Sequence, residues 1–388
     1  MPTISPDRSA QEHDRGGRCI YHLPYPIDMA SKFGGQVRPA RMMEALSQWG
    51  EVWLVAGTAA QRRRQMRLVS EAIRRGTHFD FCYSESSTMP TALTERHHLP
   101  THPFEDFAFL ARVRKAGIPV GLFYRDIHWR FPLYGKGLSP LRRKAAIAMY
   151  RYDVMAYGHC LDVIFLPSLK MADYVDLPSN VQLAELPPGH NIVEEPKEAP
   201  AHPLSLFYVG GFGDIYRLDR LFEAVNRVLE VHMTVCTRPE EWTAAEPRLR
   251  QWVGENVEIV HALGAEQLAP YFARCNVATL AVEPQPYWTF AAPLKLYEYI
   301  GNGKPMLASG GTLAGQRVAD GGLGWTVPCT TDALAGKLKE LSNHPDEVSR
   351  ARKTVMEVRD SHSWRGRVRQ LAQVLADVDR RQGSHTGN

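Results

Sequence analysis

The sequence predicts an α/β protein built from two doubly wound, Rossmann-like domains that face each other across a cleft. The chain has 388 residues, which is enough for two domains rather than one. Short, nearly continuous apolar segments alternate with helical patterns, as is typical of parallel strands covered by helices on both faces. These segments fall into two series, separated by a stretch rich in Pro and Glu at residues 190–203.

Each predicted strand is a short apolar segment bounded by turn residues. The first series lies at residues 18–25, 51–57, 79–85, 119–126, 162–168 and 181–189. The second series lies at residues 205–212, 231–237, 257–263, 277–282, 305–309 and 324–328. Because ligands of doubly wound sheets bind beyond the carboxyl ends of the strands, we expect functional residues directly after them.

The strand series define the domain boundaries. The first domain is predicted at residues 18–189, the linker at 190–203 and the second domain at 204–362. Residues 363–382 are predicted to form a helix that packs back on the first domain, because apolar residues recur there at steps of four and three: Trp364, Val368, Leu371, Leu375 and Val378. Residues 1–17 are too polar for a signal peptide and predict a disordered leader, and 383–388 predict a disordered tail.

Composition and charge narrow the class of protein. The sequence has no apolar run of about 18 residues that could span a membrane, and its six cysteines show neither metal-site nor disulfide spacing. A reduced, cytoplasmic protein is expected, free in the cytoplasm or at the inner face of the plasma membrane. The net charge of +4 is mild, and no nucleic-acid signature is present. Basic clusters are either solvated helix faces or a contact with an anionic membrane: Arg62, Arg63, Arg64 and Arg67, and Arg142, Arg143, Lys144 and Arg151.

Two candidate segments follow strands of the first series. Gly34 and Gly35 precede a helix, where backbone N–H groups can bind an anion or a sugar oxygen; an ordinary turn is the alternative. Residues 123–132 combine charged groups with rings and suit a polar, ring-shaped substrate, whereas internal ion pairing of Asp126 is the alternative. The candidates there are Arg125, Asp126, His128 and Trp129.

Two further segments follow strands of the second series. Gly210, Gly211 and Gly213 lead into a helix, and such a turn can bring N–H groups to a phosphate. Pro293 favours the first turn of another helix. On one face this helix carries Lys295, Glu298 and Asn302, and it ends at Gly301 and Gly303. A surface ion pair and a C-cap are the alternative explanations.

These segments together resemble a known family. "PLKLYEYIGNGKPMLAS" at residues 293–309 resembles the donor-site helix of retaining, GT-B-fold glycosyltransferases of the family 4 type. "FYVGGFGDIYRLDRL" is similar to the first strand and loop of their nucleotide-binding domain. "FGGQVRPARMMEAL" resembles their N-terminal Gly-Gly loop, and "HSWRGRVRQLAQVL" their final helix. The similarity covers most of the chain in order.

The resemblance implies a reaction and a set of roles. Glu298 would hold the ribose hydroxyls of a nucleotide sugar, and Lys295 would neutralise its diphosphate. Gly210, Gly211 and Gly213 would line the diphosphate, Asn302 would approach the nucleotide, and His128 with Asp126 would lie near the transferred sugar and the acceptor. The implied activity is transfer of a sugar from a nucleotide diphosphate sugar such as a UDP-sugar to an acceptor hydroxyl, with retention and without a metal or cofactor. The acceptor is suggested by the residues themselves: the basic, partly amphipathic segment at 139–157 and the cluster at 62–67 favour an anionic membrane, and hence a lipid-linked or polysaccharide acceptor in envelope or exopolysaccharide biosynthesis. A soluble acceptor is the alternative.

The chain departs from the family pattern at three positions. Phe290 stands where a second Glu is common, and Gly211 and Tyr216 stand where an Arg and a Lys are common. Neutralisation of the diphosphate would therefore depend on Lys295, with Arg217 as the other candidate. A nucleotide-sugar epimerase or hydrolase of the same fold and a non-catalytic nucleotide-sugar-binding protein are the alternative functions.

Overall fold

The computed structural model describes residues 17–29, 34–132, 134–194, 196–213 and 216–385. The chain divides into two compact units. The first unit extends to Leu186 and resumes at Val368, and the second unit is Pro187–Arg367. No helix in these described ranges is long and apolar enough to cross a membrane.

The first unit contains a six-stranded parallel sheet with the order β2-β1-β3-β4-β5-β6. Its strands are β1 Gly17–His22, β2 Gly50–Val55, β3 Phe81–Glu85, β4 Val120–Phe123, β5 Val163–Leu166 and β6 Gln182–Glu185. Its helices are α1 Gly34–Trp49, α2 Ala59–Arg74, α3 Glu105–Lys115 and α4 Pro140–Cys160. The three strands β3, β4 and β5 are buried along their whole length, which explains their continuous apolar sequence.

The second unit contains another six-stranded parallel sheet, with the order β12-β11-β10-β7-β8-β9. Its strands are β7 Leu204–Val209, β8 Val231–Cys236, β9 Val257–Val260, β10 Val277–Leu280, β11 Met306–Ser309 and β12 Gly324–Val327. The helices are α5 Asp219–Asn226, α6 Pro239–Leu249, α7 Ala265–Arg274, α8 Leu294–Gly301, α9 Leu313–Asp320, α10 Thr331–Asn343 and α11 Pro345–Val358. The order reverses between β7 and β10, so the loops after these two strands form the expected ligand position. The prediction of two doubly wound domains is confirmed.

The last helix, α12 Trp364–His385, begins in the second unit and belongs to the first from Val368 onward. Its apolar stripe is buried along its length. A Cβ added to Gly121 of β4 would lie 3.1 Å from Leu375 Cδ2, and Gln370 Nε2 donates to the Glu185 carbonyl oxygen at 2.8 Å. The stripe therefore packs on the first sheet.

Three boundaries differ from the predicted ones. Gly17 begins β1, and the rest of the predicted leader, residues 1–16, lies outside the described residues. Residues 383–385 of the predicted tail belong to α12, which the Asp377–Arg380 ion pair continues beyond the apolar stripe; residues 386–388 lie outside the described residues. His190, predicted as the start of an exposed linker, is buried and forms a β-bridge with Ser363.

Candidate functional site

Helix α8 is fixed to the carboxyl end of β7. Leu296, Tyr299 and Ile300 are buried on one side of the helix, and the backbone N–H of Val209 donates to the Tyr299 hydroxyl at 3.1 Å. The other side of α8 carries Lys295. This side faces the loop of residues 210–213 that follows β7, here called the glycine loop.

Lys295 is held between two tyrosine rings. Its ammonium lies 4.3 Å from the ring centroid of Tyr208 and 4.2 Å from that of Tyr216, and it donates to the Tyr208 hydroxyl at 2.9 Å. Partial desolvation lowers the pKa of Lys295 to about 7, although Glu298 and Glu241 act in the opposite direction. Within the described ranges, no carboxylate lies within ion-pair distance of this ammonium, so it can bind an anion.

The glycine loop approaches Lys295 closely. Gly210 has a φ of 143°, and a Cβ at this position would collide with the Lys295 ammonium. Gly211 packs against α6, because a Cβ there would lie 2.9 Å from Glu241 Oε2. Phe212 donates its N–H to the same carboxylate oxygen at 3.3 Å. Glu241 thus positions the loop, and Gly213, with a φ of 129°, follows at its end. Residues 214–215 lie outside the described residues.

Glu298 presents an accessible carboxylate on α8. In the part of the chain that the structure describes, no hydrogen bond or ion pair occupies it. Glu298 is exposed to solvent, but many protein atoms lie near its carboxyl group. The resulting desolvation raises the pKa of Glu298, and the Lys295 ammonium partly offsets this rise. The Glu298 carboxylate therefore remains available to accept hydrogen bonds from ribose hydroxyls, and the Lys295 ammonium, three residues earlier, to contact a diphosphate.

The residues that end α8 have structural roles that the family resemblance did not suggest. Asn302 Nδ2 donates to the Glu298 carbonyl oxygen at 2.8 Å and caps the helix. A Cβ added to Gly301 would lie 2.6 Å from Nδ1 of His190, and Gly303 has a φ of 64°. The glycines therefore make room for a histidine and terminate the helix, rather than only opening a path for a nucleotide.

The structure also explains the departures in this unit. Phe290 is 2% exposed and packs against Tyr287, with ring centroids 5.2 Å apart, so the position of the usual second Glu belongs to the core. Arg217 Nε lies 3.4 Å from Glu283 Oε2 and 3.9 Å from Asp219 Oδ2. Two carboxylates therefore compensate the charge of Arg217, which leaves Lys295 as the stronger candidate for the diphosphate.

Arg125 is mainly buried at the carboxyl edge of the first sheet. Its Nη2 lies 3.0 Å from Glu85 Oε2 and 3.0 Å from the Tyr25 hydroxyl. Glu85 is fully buried, and Arg38 Nε lies 3.4 Å from its other oxygen. The Arg125 guanidinium therefore balances the charge of a buried carboxylate, which is a structural role. The sequence had instead predicted that Arg125 contacts the acceptor.

His128 and Trp129 occupy different environments on one short 3₁₀ turn. His128 Nδ1 lies 4.0 Å from Asp126 Oδ2, and its Nε2 lies 3.4 Å from the Tyr150 hydroxyl. Burial lowers the pKa of His128, and the nearby Asp126 carboxylate partly opposes this shift. Trp129 is buried and stacks on Tyr150 at 5.3 Å. It is therefore a packing residue, contrary to its predicted acceptor contact.

Gly34 and Gly35 begin α1, as expected.

A second polar cluster has the distances of a catalytic triad but not its accessibility. His22 Nδ1 lies 2.9 Å from Ser84 Oγ, and His22 Nε2 lies 2.9 Å from Asp106 Oδ1. All three are at most 2% exposed. Arg62 donates to both oxygens of Asp106 at 2.9 and 3.1 Å. The cluster is therefore structural. Neither interpretation of the basic cluster at residues 62–67, a solvated helix face or a membrane contact, holds for Arg62, because its guanidinium is buried and pairs with Asp106.

The sequence did not identify Tyr208, Tyr216 and Glu241 as parts of the site. Tyr208 lies in an apolar strand and Glu241 in an ordinary amphipathic helix, and neither position carries a local signal. Tyr208 and Tyr216 stand close to predicted site residues, two positions before Gly210 and one position before Arg217, but the sequence does not show that their rings flank Lys295. In the described ranges, no group of three or more His, Cys, Asp or Glu side chains could hold a metal ion.

Comparisons with known proteins concern the sequence of the second unit and the fold of the whole chain. Residues 203–344 match the family model described as "Glycosyl transferases group 1". No curated protein sequence matches the chain. Among solved structures, Anabaena Alr3699/HepE in complex with UDP and glucose aligns with a TM-score of 0.57 at 12% identity, over 92% of this chain and 99% of that one.

Two other glycosyltransferases are similar over their whole length. The glycosyltransferase from Rickettsia africae ESF-5 aligns with a TM-score of 0.57 at 12% identity, covering 94% of this chain and 99% of that one. AviGT4, involved in avilamycin A biosynthesis, aligns with a TM-score of 0.51 at 12% identity, covering 94% of this chain and 98% of that one. At this identity the similarity shows the shared GT-B fold. The chain thus has the GT-B fold, and residues 203–344 of its second unit are similar to the group 1 glycosyl transferases.

Proposed function

We propose that the protein transfers a sugar from a nucleotide diphosphate sugar, with UDP as the nucleotide, to an acceptor hydroxyl with retention at the anomeric carbon. One observation carries the proposal: the Lys295 ammonium has no carboxylate partner in the described structure, lies against Gly210, and precedes the accessible Glu298 carboxylate by one helical turn. The complexes of HepE with UDP and with UDP-glucose support the choice of nucleotide.

The proposed roles follow from the charges that the reaction develops. When the bond between the anomeric carbon and the diphosphate oxygen breaks, negative charge accumulates on the diphosphate and positive charge on the sugar ring. Lys295 would stabilise the departing diphosphate, and Glu298 would hold the ribose hydroxyls. The acceptor oxygen would attack the same face, and its proton would pass to the leaving diphosphate. This scheme needs neither a metal nor a cofactor.

The acceptor is proposed to be lipid-linked or a saccharide, as in envelope or exopolysaccharide biosynthesis. Asp126 and His128 are the proposed acceptor contacts, because they lie directly after β4 and are partly accessible, at 23% and 34% of their side chains. Arg142 and Lys144 are exposed and support the proposed contact with an anionic membrane, whereas Arg143 is half-buried against Gly135.

A donor panel tests the proposal. Purified protein is incubated with UDP- and GDP-sugars, with and without alkyl glycoside acceptors, and the products are separated and their anomeric configuration is determined. A glycoside product of the donor's configuration supports the proposal. Isomerised or hydrolysed donor without a glycoside would indicate the epimerase or hydrolase, and nucleotide binding without turnover would indicate the non-catalytic alternative.

A further inference from the structure

A groove with a volume of about 440 Å³ lies between α2 and α3 on the surface of the first unit. Its charged lining is strongly unbalanced, because four guanidinium groups face a single carboxylate. These residues are Arg63, Arg67, Arg74, Arg112 and Glu105. Such a lining is suited to an anion, and guanidinium groups match the geometry of a phosphate especially well.

Three of the four arginines are available to a ligand. Arg63 is occupied, since its Nε lies 3.5 Å from Glu105 Oε2 and its Nη2 lies 3.0 Å from His102 Nε2. Arg67, Arg74 and Arg112 are exposed. Within the described ranges of the chain, none of these three has a carboxylate at ion-pair distance. The groove therefore keeps three uncompensated positive charges close together.

An exposed aromatic ring lies beside this charge, and an exposed apolar stripe lies on the neighbouring helix α4. Phe104 lines the groove and is 66% exposed, and its ring lies 5.8 Å from that of Tyr152, which connects the groove to α4. The outer face of α4 carries an exposed apolar stripe consisting of Leu141, Ala145, Ala148 and Met155. Leu141 is 78% exposed and Met155 59% exposed.

The charges on α4 have the same sign as those in the groove. Arg142, Lys144 and Arg151 are exposed beside the apolar stripe. The carboxylate of α4, Asp153, is buried and accepts a hydrogen bond from the backbone N–H of Thr91 at 2.7 Å. The outer surface of α4 thus combines basic and apolar residues without an acidic one.

We propose that this face binds an anionic phospholipid bilayer, with one lipid phosphate seated in the groove between α2 and α3. Phe104 and the α4 stripe then lie at the boundary between head groups and acyl chains, where such side chains are favourable. The exposed apolar stripe favours a lipid surface over an acidic protein or a nucleic acid, since charge alone would serve those partners. The sequence suggested α4 for such a contact, but it did not reveal the groove, whose residues come from two separate helices. The inference does not depend on the transferase activity.

Co-sedimentation of the full chain with vesicles tests this proposal without any donor sugar. The vesicles contain phosphatidylcholine alone or with phosphatidylglycerol, at low ionic strength. The wild-type protein should sediment only with the anionic vesicles, and salt should weaken the binding. In the groove variant R67Q/R74Q/R112Q the partition coefficient should fall roughly a hundredfold, about fivefold for each basic residue.

Matched variants separate the groove from general charge. R250Q/R274Q/R350Q removes three exposed charges from the second unit and should leave binding within about twofold of wild type. Phe104→Ser should weaken binding roughly tenfold without a change in charge, whereas Leu229→Ser, at a residue 75% exposed in the second unit, should not. An unchanged melting temperature and an unchanged circular dichroism spectrum establish that each variant is folded.

Several outcomes would overturn the proposal. The groove variant could bind as well as the second-unit control, or R142Q/K144Q/R151Q alone could abolish binding while the groove variant keeps it. Wild-type protein that ignores anionic vesicles but binds inorganic phosphate or polyglutamate would assign the groove to a free anion or an acidic protein. An inactive enzyme that still binds vesicles leaves the proposal intact and counts only against the proposed transferase function.

Discussion

At the scale of single residues, Lys295 and Glu298 have pKa values shifted toward each other. Desolvation lowers the pKa of the ammonium to about 7 and raises that of the carboxyl, while each charge partly offsets the shift of the other. Both charged forms are therefore less stable in the free protein than in water. A diphosphate beside Lys295 would restore the favourable state of the ammonium, so donor binding and protonation should be coupled.

Glu298→Gln should weaken UDP binding while the fold stays intact. The substitution keeps the shape of the side chain but removes the charge that strengthens hydrogen bonds to the ribose, worth about 1.5–3 kcal/mol, so the affinity should fall roughly ten- to a hundredfold. Calorimetry measures this. Glu283→Gln changes an exposed carboxylate that pairs with Arg217 and is the control. Equal UDP affinity in wild type and Glu298→Gln would reject the ribose role.

Lys295→Met should reduce kcat more than it reduces affinity for uridine. The ammonium acts on charge that develops in the transition state, whereas uridine has no phosphate to contact. Steady-state kinetics and uridine titration give the two quantities. Arg217→Met is the comparison, because two carboxylates already compensate Arg217. A larger loss of kcat in Arg217→Met would transfer the diphosphate role to that residue.

The pKa of Lys295 also predicts how UDP binding depends on pH. Below pH 7 the free ammonium is charged and binding is strongest; above pH 7 the free protein must take up a proton to bind the diphosphate. The dissociation constant should therefore rise as pH increases from 7 to 9, by up to about tenfold per unit. Lys295→Met should show a flatter profile. Parallel profiles for both proteins would show that another group governs the pH dependence.

At the scale of elements, α8 depends on two contacts near its C-terminal end. Tyr299 joins it to β7, and the glycine at its last position admits the His190 ring. His190 in turn places Nε2 2.8 Å from the Arg359 carbonyl oxygen. The end of α8 is thus packed against His190, which itself contacts the turn at Arg359.

Gly301→Ala should destabilise the second unit by about 1–3 kcal/mol, the usual cost of overpacking. The added methyl group would lie 2.6 Å from Nδ1 of His190, and the helical backbone itself would accept alanine. Denaturant unfolding measures the change. Gly336→Ala, in the middle of α10 with nothing within 4 Å of the new Cβ, should instead be neutral or stabilising.

A double variant identifies the cause of that destabilisation. Removing the ring with His190→Ala should make the further Gly301→Ala change almost neutral, because the two residues contact each other. Additive losses in the double variant would mean that the methyl group disturbs something other than His190.

At the scale of the whole molecule, α12 returns the chain from the second unit to the first. Leu371 and Leu375 are fully buried, so this stripe is a packing surface and is not available to a membrane. Arg367 fixes the beginning of the helix: its Nε donates to the Pro188 carbonyl oxygen at 3.0 Å and its Nη2 lies 2.8 Å from His362 Nδ1.

Leu375→Ala should destabilise the first unit by about 2–5 kcal/mol, as expected for a large cavity in a core. Thermal unfolding followed by circular dichroism should show a lower transition temperature. Gln373→Ala, at an exposed position of the same helix, should leave the transition unchanged. A Leu375→Ala protein as stable as wild type would show that α12 contributes little to the first unit.

The sequence by itself determined the two strand series, the helices between them and the segment that carries Lys295 and Glu298. These features are local: apolar periodicity and turn residues are set by neighbours a few positions apart, so they can be recognised without the fold. The resemblance to GT-B glycosyltransferases also rests on such local strings, and the matching family model, over residues 203–344, contains two of them, the segment after β7 and the α8 segment.

Only the tertiary structure decided which candidates are accessible and what surrounds them. Lys295 and Tyr208 are 87 positions apart, yet their hydrogen bond fixes the position of the Lys295 ammonium. Arg62 and Trp129 looked like surface residues in the sequence but are buried, because Asp106 and Tyr150 come from other helices. Burial and pKa depend on these long-range neighbours, and a pattern read along one segment contains no information about them.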